Sequence, residues 1–324
     1  MIWPKKLKDG DKILLTSFSS TSVKPAELEE PIKRFEEENR VKIHLDSSLL
    51  GTTSRHENLS KYRQKMTNCI DRLDLDDISA LFSIRGGWSI TDLLLNGKVD
   101  LDNLIQKIID KRILVLGYSD NTLLSDYINL TYGYVTYHSP NFEGFYEWSK
   151  DSQALVSRLL REKFEHQIDL TPINNGKSTH EESGMLISSN LECLTLSLAF
   201  TDKIKKEFKD HGVILLLEDT LIEPSLAFRY IECVLMRFKN EGIQVKAIIF
   251  GTFYDCTEET YKSWEGKSFR EVLPHLLQYV DIPIFETDKI GHADEEGTDD
   301  NVHYLTTPSG DFVQIRDNKL FYNL

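Results

Sequence analysis

Cysteine is scarce: only four occur in 324 residues (Cys69, Cys193, Cys233, Cys256), with no Cys-x-x-Cys pair and no histidine at zinc-ligand spacing beside them. That excludes a disulfide scaffold and a cysteine-based zinc site. Long hydrophobic runs are missing too, since stretches such as Val213 to Leu217 fall far short of the ~20 residues that cross a bilayer. The start, Met1 to Asp11, has lysines but neither an apolar core segment nor a small-residue cleavage site, so a cytoplasmic location is expected. Nine prolines and 17 glycines are too few for a fibrous or low-complexity chain. No P-loop, no Gly-x-Gly-x-x-Gly opening a helix and no His-Glu-x-x-His occurs, so neither a cofactor nor a metal is expected. Positive charge is in deficit, 38 Lys+Arg against 52 Asp+Glu for a net charge of −14. Without a clustered basic stripe, this argues against nucleic-acid and membrane partners. The acidic run Asp294-Glu295-Glu296 with Asp299-Asp300 lacks EF-hand spacing and reads as a solvated loop.

What is present is a repeated alternation of short aliphatic runs with longer amphipathic stretches, the pattern of βαβ units. Strands are expected at 12–15, 41–45, 78–84 and 112–117. Helices are expected from Pro25 to Asn39, His56 to Leu73, Leu101 to Asp110 and Thr122 to Leu130. A polar stretch from Asp169 to Ser183, with Pro172 and Asn174-Asn175-Gly176, reads as a linker. Beyond it come strands at 184–187, 213–217, 245–251, 282–285, 312–315 and 320–322. Helices there are expected from Leu191, from Pro224 to Asn240 and around Phe269 to Tyr279. The expected architecture is α/β in two domains: residues 1–168 as a flavodoxin-like parallel sheet with helices on both faces, and residues 184–324 as a second α/β domain.

In an open parallel sheet, reactive groups gather where strands end. Ser119 stands there, in Gly117-Tyr118-Ser119-Asp120-Asn121. The frame approaches a Gly-x-Ser-x-Gly nucleophile elbow, with Asn in the place of the second glycine. On spacing alone Ser119 or Asp120 reads more readily as the N-cap of the next helix. Arg85-Gly86-Gly87-Trp88 ends another buried strand, where the glycines could complete an oxyanion hole or simply make a tight turn. A serine nucleophile needs a base. Of the histidines, His56, His166, His180 and His211 lie in charged stretches, His44 alternates on a strand and His275 sits in a helix. His138 ends the run Tyr134 to Tyr137 where it can face a cleft, and His292 follows Ile290-Gly291 in a loop able to present an imidazole. Glu218 and Asp219 terminate the most apolar strand of the second half, where a carboxylate is costly to bury unless it has a partner.

Taken jointly, Leu7 to Ile13, Ile84 to Trp88, Gly117 to Asp120 with Thr122, Leu216 to Asp219 and Gly291-His292 resemble the LD-carboxypeptidase family of serine peptidases, which also contains the microcin C immunity protein. The resemblance spans nearly the whole chain. It implies a triad of Ser119 as nucleophile, His292 as general base and acid, and Glu218 as the orienting carboxylate. It also implies an oxyanion hole from the backbone amides of Gly87 and Asp120, a small peptide substrate and usually a homodimer. The family's usual reaction releases terminal D-alanine from a murein tetrapeptide in peptidoglycan recycling, whereas the immunity branch hydrolyses peptidyl or aminoacyl nucleotide amides. A catalytically silent muropeptide-binding protein is the alternative of another class. Gly86, Trp88, Asn190 and Trp148 are the expected substrate contacts, with Trp148 or Trp88 able to stack on a nucleobase and core packing the alternative for either ring. Two departures stand out: Ser188-Ser189-Asn190 occupies the place of the family's Gly-Gly-Asn, and the loop Ser17 to Ser20 lacks a proline common there.

Overall fold

Two sheets organise the chain. A computed structural model describes residues 1–16, 18–19, 23–45, 59–75, 77–87, 90–96, 98–173, 181–254, 256, 273, 280–292 and 304–324. The first half runs β1 (Lys12–Thr16), α1 (Pro25–Asn39), β2 (Lys42–Leu45), α2 (Leu59–Leu75), β3 (Ile78–Ser83), α3 (Ile90–Asn96), α4 (Lys98–Lys111), β4 (Leu114–Gly117), α5 (Asn121–Tyr132), β5 (Thr136–His138) and α6 (Lys150–Arg161). There follow β6 (Glu165–Asp169), β7 (Thr171–Pro172), β8 (Glu182–Asn190), α7 (Leu191–Phe200), α8 (Lys206–His211), β9 (Val213–Thr220), α9 (Pro224–Asn240), β10 (Val245–Tyr254), β11 (Ile284–Glu286), β12 (Thr307–Ser309), β13 (Phe312–Arg316) and β14 (Lys319–Asn323).

The first sheet has the order β12-β5-β4-β3-β1-β2, and the second β6-β14-β13-β8-β9-β10-β11-β7. Strands β2-β1-β3-β4-β5 are mutually parallel, which is the flavodoxin-like winding. Side-chain alternation explains why helices cover both faces. Ile13, Leu15, Ala80, Phe82 and Leu116 share one core with Leu28 and Phe35 of α1. Leu14, Leu81 and Val115 point the other way, onto Met66 of α2, Leu104 and Ile108 of α4 and Leu123 of α5. The second sheet does the same: Leu186, Ile214, Leu216 and Ile249 join the core of α1, while Ile187, Leu215 and Leu217 pack on α7 and α9. One apolar layer is therefore common to both sheets.

The pairing crosses the expected sequence boundary. β6, which runs from 165 to the first residue of the expected linker, completes the edge of the second sheet by pairing antiparallel with β14, and β12 adds antiparallel to β5 of the first, Thr307 opposite His138. Each strand covers an edge that would otherwise expose unpaired backbone. His166, expected in a solvated stretch, is half-buried on β6 with its ring 5.6 Å from that of Tyr322. Most of the expected helix from Phe269 to Tyr279, the acidic run 294–300, residues 174–180 and Trp88 lie outside the described residues. Among the described residues no helix is long and apolar enough to cross a membrane.

Candidate active site

β4 ends at Gly117, β8 at Asn190 and β9 just past Glu218, while β11 leads on to His292. These carboxyl ends of parallel strands form one rim, the usual place for a ligand in such sheets.

The turn from β4 into α5 holds Ser119 at φ 61°, a left-handed backbone that a residue with a β-carbon keeps only when its surroundings enforce it. The enforcement is visible. The Ser119 carbonyl accepts from the Thr122 amide at 2.8 Å and from Thr122 Oγ1 at 2.7 Å, while Asn121 Nδ2 donates to the carbonyls of Arg85 and Tyr118, each at 3.1 Å. The Tyr118 amide donates to Asn141 Oδ1 at 3.2 Å. Among the described residues none is hydrogen-bonded to Ser119 Oγ. Asp120 stands at the N-cap of α5, as the spacing allowed, but its carboxylate makes no capping hydrogen bond. It accepts instead from Ser19 Oγ at 2.5 Å and from the Ile90 amide at 3.4 Å, tying the loop after β1 and the start of α3 to the turn.

Gly86 lies against this turn so closely that a β-carbon there would stand 2.6 Å from Ser119 Cβ and 2.7 Å from its Oγ. Gly86 is therefore the residue that lets the serine turn approach. Gly87, exposed at φ 140°, occupies backbone space that glycine favours.

Glu218 is fully buried, and its Oε2 accepts from His292 Nδ1 at 2.5 Å and from the His292 amide at 3.3 Å. Glycine makes this contact possible: Gly291 is left-handed, and a β-carbon there would meet Glu218 Cβ at 2.9 Å as well as Thr252 Oγ1. Thr252 Oγ1 donates to the His292 carbonyl at 2.6 Å and fixes the loop on β10. Burial pushes the Glu218 carboxyl up, but the charge and hydrogen bonds of His292, with His138 behind it, outweigh burial and hold it below its usual range. Burial, with the charge of Glu218 beside it, pushes Asp219 up to about 7, so Glu218 takes the first negative charge of the two. The Tyr118 ring lies 4.9 Å from that of His292, which brings the imidazole beside the residue that precedes Ser119.

The remaining expected contacts divide. Trp148 is half-buried, its ring 5.3 Å from Tyr304 and 6.4 Å from Tyr118, in an aromatic wall that continues to His292. Asn190 is buried, and its side chain is committed within the fold: Oδ1 caps α7 by accepting from the Cys193 amide at 3.1 Å, and Nδ2 donates to Asp219 Oδ1 at 2.8 Å. These two bonds hold its amide at the rim and leave it a second N–H and a second oxygen lone pair. Trp88 lies outside the described residues. The residue that sequence reasoning missed is Tyr304, with no local signal; Thr122, part of the serine motif, also accepts through its hydroxyl from the Asn190 amide at 3.3 Å and so joins the serine turn to the second sheet.

A strand-end serine beside a buried carboxylate–imidazole pair, on a two-sheet α/β frame, defines a hydrolase. Residues 13–139 match the LD-carboxypeptidase N-terminal domain and residues 183–298 the LD-carboxypeptidase C-terminal domain. A Rickettsia conorii protein that bears a carboxypeptidase's name is 30% identical over 251 residues, covering 74% of this chain and 70% of its own length. Among solved structures, a muramoyltetrapeptide carboxypeptidase from Oxalobacter formigenes superposes with a TM-score of 0.69 at 17% identity, over 96% of this chain and 98% of its own. An MccF-like protein from Bacillus anthracis superposes with a TM-score of 0.75 at 20% identity, over 99% of both chains. The microcin C7 self immunity protein MccF, in complex with aspartyl sulfamoyl adenosine, gives 0.73 at 18% identity over 100% of this chain and 99% of its own. The chain belongs to the LD-carboxypeptidase family of serine peptidases.

Proposed function

We propose that the chain is a serine carboxypeptidase that releases the terminal D-alanine of a murein tetrapeptide by cleaving its L,D amide bond. The observation that carries the reading is the 2.5 Å bond between buried Glu218 and His292, set beside a serine held in a strained left-handed turn. With Nδ1 on the carboxylate, His292 acts as base through Nε2. In this reading Ser119 Oγ attacks the scissile carbonyl as His292 takes its proton. The Gly87 and Asp120 amides receive the oxyanion, and His292 passes the proton to the departing D-alanine amine. A water deprotonated by His292 then hydrolyses the acyl-enzyme and returns the serine. A cation at this rim is Arg85, directly before Gly86 and paired with Glu143 at 3.2 Å with both side chains partly exposed. Exchanging that partner for the substrate's terminal carboxylate would suit the release of a C-terminal residue.

A second reading, hydrolysis of an aminoacyl nucleotide amide, is favoured by one feature, the partly exposed rings of Trp148 and Tyr118 beside His292, backed by buried Tyr304, which could stack a base. Mass spectrometry of products from a murein tetrapeptide and from an aminoacyl sulfamoyl-adenylate, offered separately with Ser119→Ala as control, decides between them. D-alanine release supports the first reading, and cleavage of the nucleotide conjugate alone supports the second. Turnover of neither refutes both in favour of a silent binding protein.

A further inference from the structure

His292 occupies only one oxygen of Glu218. The other, Oε1, is equally buried and accepts no hydrogen bond from any described residue, which is costly for a charged group. Facing it at 3.8 Å is Nε2 of His138, at the end of β5. That ring is fully enclosed: Nδ1 lies 2.7 Å from Ser188 Oγ and Nε2 lies 2.7 Å from Tyr304 Oη, while Thr307 Oγ1 donates to Ser188 Oγ at 2.8 Å.

Two proton arrangements fit these distances. In one, Tyr304 donates to Nε2 and Nδ1–H donates to Ser188. That arrangement turns the Nε2 lone pair toward an anionic oxygen and leaves the Ser188 hydrogen without an acceptor among the described residues. In the other, Thr307 donates to Ser188, Ser188 donates to Nδ1, and the hydrogen on Nε2 lies toward Tyr304 Oη and Glu218 Oε1, which leaves the Tyr304 hydrogen, in its turn, without an acceptor among the described residues. The charge on Glu218 favours the second, because it attracts a hydrogen and repels a lone pair.

We propose that His138 is a positioning residue for Glu218: a neutral imidazole fixed as its Nε2–H tautomer by the Thr307–Ser188 hydroxyl relay, its N–H facing Tyr304 Oη at 2.7 Å and Oε1 at 3.8 Å, so that the second carboxylate oxygen lies in the field of an N–H and not of a lone pair. Ser188, one of the two serines where the family usually has glycine, thereby supplies a hydroxyl that glycine could not. The groups facing the pair are His292 beyond β11, Tyr304 before β12, Asp219 on the same strand as Glu218, and Tyr118 against His292. Burial, against the pull of Glu218, holds His138 down at about 4, so the ring is neutral at pH 5 and above.

The proposal rests on the triad reading, but its first test needs no turnover. In the full chain carrying ¹⁵N-histidine, long-range ¹H–¹⁵N spectra between pH 5 and 8 are expected to show His138 neutral with its hydrogen on Nε2; an Nδ1–H tautomer would overturn the proposal. The second test is the pH dependence of fluorophosphonate labelling at Ser119. The Nε2–H stabilises the ionised Glu218–His292 pair, so without it the pair takes up a proton more readily. The acidic limb in His138→Leu then moves up by about one pH unit, a tenfold change. His138→Gln, which keeps an N–H near the same oxygen, is expected to stay close to wild type. An unmoved limb in folded His138→Leu also overturns the proposal. Failure of wild-type Ser119 to label would refute the triad reading instead, and the tautomer would still decide the state of His138.

Discussion

Replacing Gly86 with alanine tests whether the serine turn depends on close approach. Gly86 is not in the left-handed region, so its backbone accepts alanine and the only obstacle is space. The new methyl would stand 2.6 Å from Ser119 Cβ, about 1 Å inside an ordinary carbon–carbon contact of roughly 3.5–4.0 Å. Ser119 cannot yield by rotating a side chain, because the conflict is with Cβ itself and the turn is pinned by Thr122 and Asn121. The turn must therefore move as a unit, carrying Oγ with it. A shift of about 1 Å at a reacting atom costs on the order of 10²-fold in rate, while overpacking of this kind destabilises by about 1–3 kcal/mol. Intact-mass measurement of fluorophosphonate labelling, with thermal unfolding in parallel, reads both effects. Gly242→Ala is the control, since a β-carbon there meets nothing within 4 Å and only its left-handed backbone is strained; it should lose about 1 kcal/mol and label normally. Wild-type labelling by folded Gly86→Ala would refute the dependence of the Ser119 hydroxyl's position on this glycine.

Two further predictions concern strain and protonation. Ser119→Gly is expected to be more stable than Ser119→Ala by about 1–2 kcal/mol, because glycine alone relieves the φ of 61°; equal denaturant midpoints for the two would refute stored strain at residue 119. The pH dependence of stability tests the burial of His138. Above pH 6.5 the ring is neutral in both states and contributes no slope, whereas between 6.5 and about 4 the unfolded chain binds a proton that the folded chain refuses. Wild-type stability should therefore fall with falling pH by about 1.4 kcal/mol per unit relative to His138→Gln, approaching roughly 3 kcal/mol across the window. A pH-independent difference in urea unfolding would sink that account.

Elements with a strong local period, or a proline to start them, were legible in the sequence. α1 and α9 each open on proline and run over the expected residues, and β4 ends at the glycine that begins the serine turn. Elements defined by their partners were not. β5, β7 and β12 have two or three residues each, too short for any period, and β6 buries only Ile168, so its place beside β14 follows from the sheet edge it covers. The site divides the same way. Ser119, Glu218 and His292 were findable because each stands at a strand end or next to a glycine, whereas Tyr304 has no neighbour in sequence that marks it.

The two serines at 188 and 189 show how far a local reading reaches. As sequence they are a departure that casts doubt on substrate fit. In the fold both point inward: Ser188 lies between Thr307 and His138, and Ser189 donates to buried Asp126 at 2.6 Å. A glycine at either position would leave its partner without that hydrogen bond inside the protein, a cost of about 1–3 kcal/mol each. Their hydroxyls are thus accounted for by the acid of α5 and the imidazole of β5, two groups more than 45 residues away in sequence. The departure from glycine is compensated within the fold, where no short motif could have recorded it, and it ends at the carboxylate that orients His292.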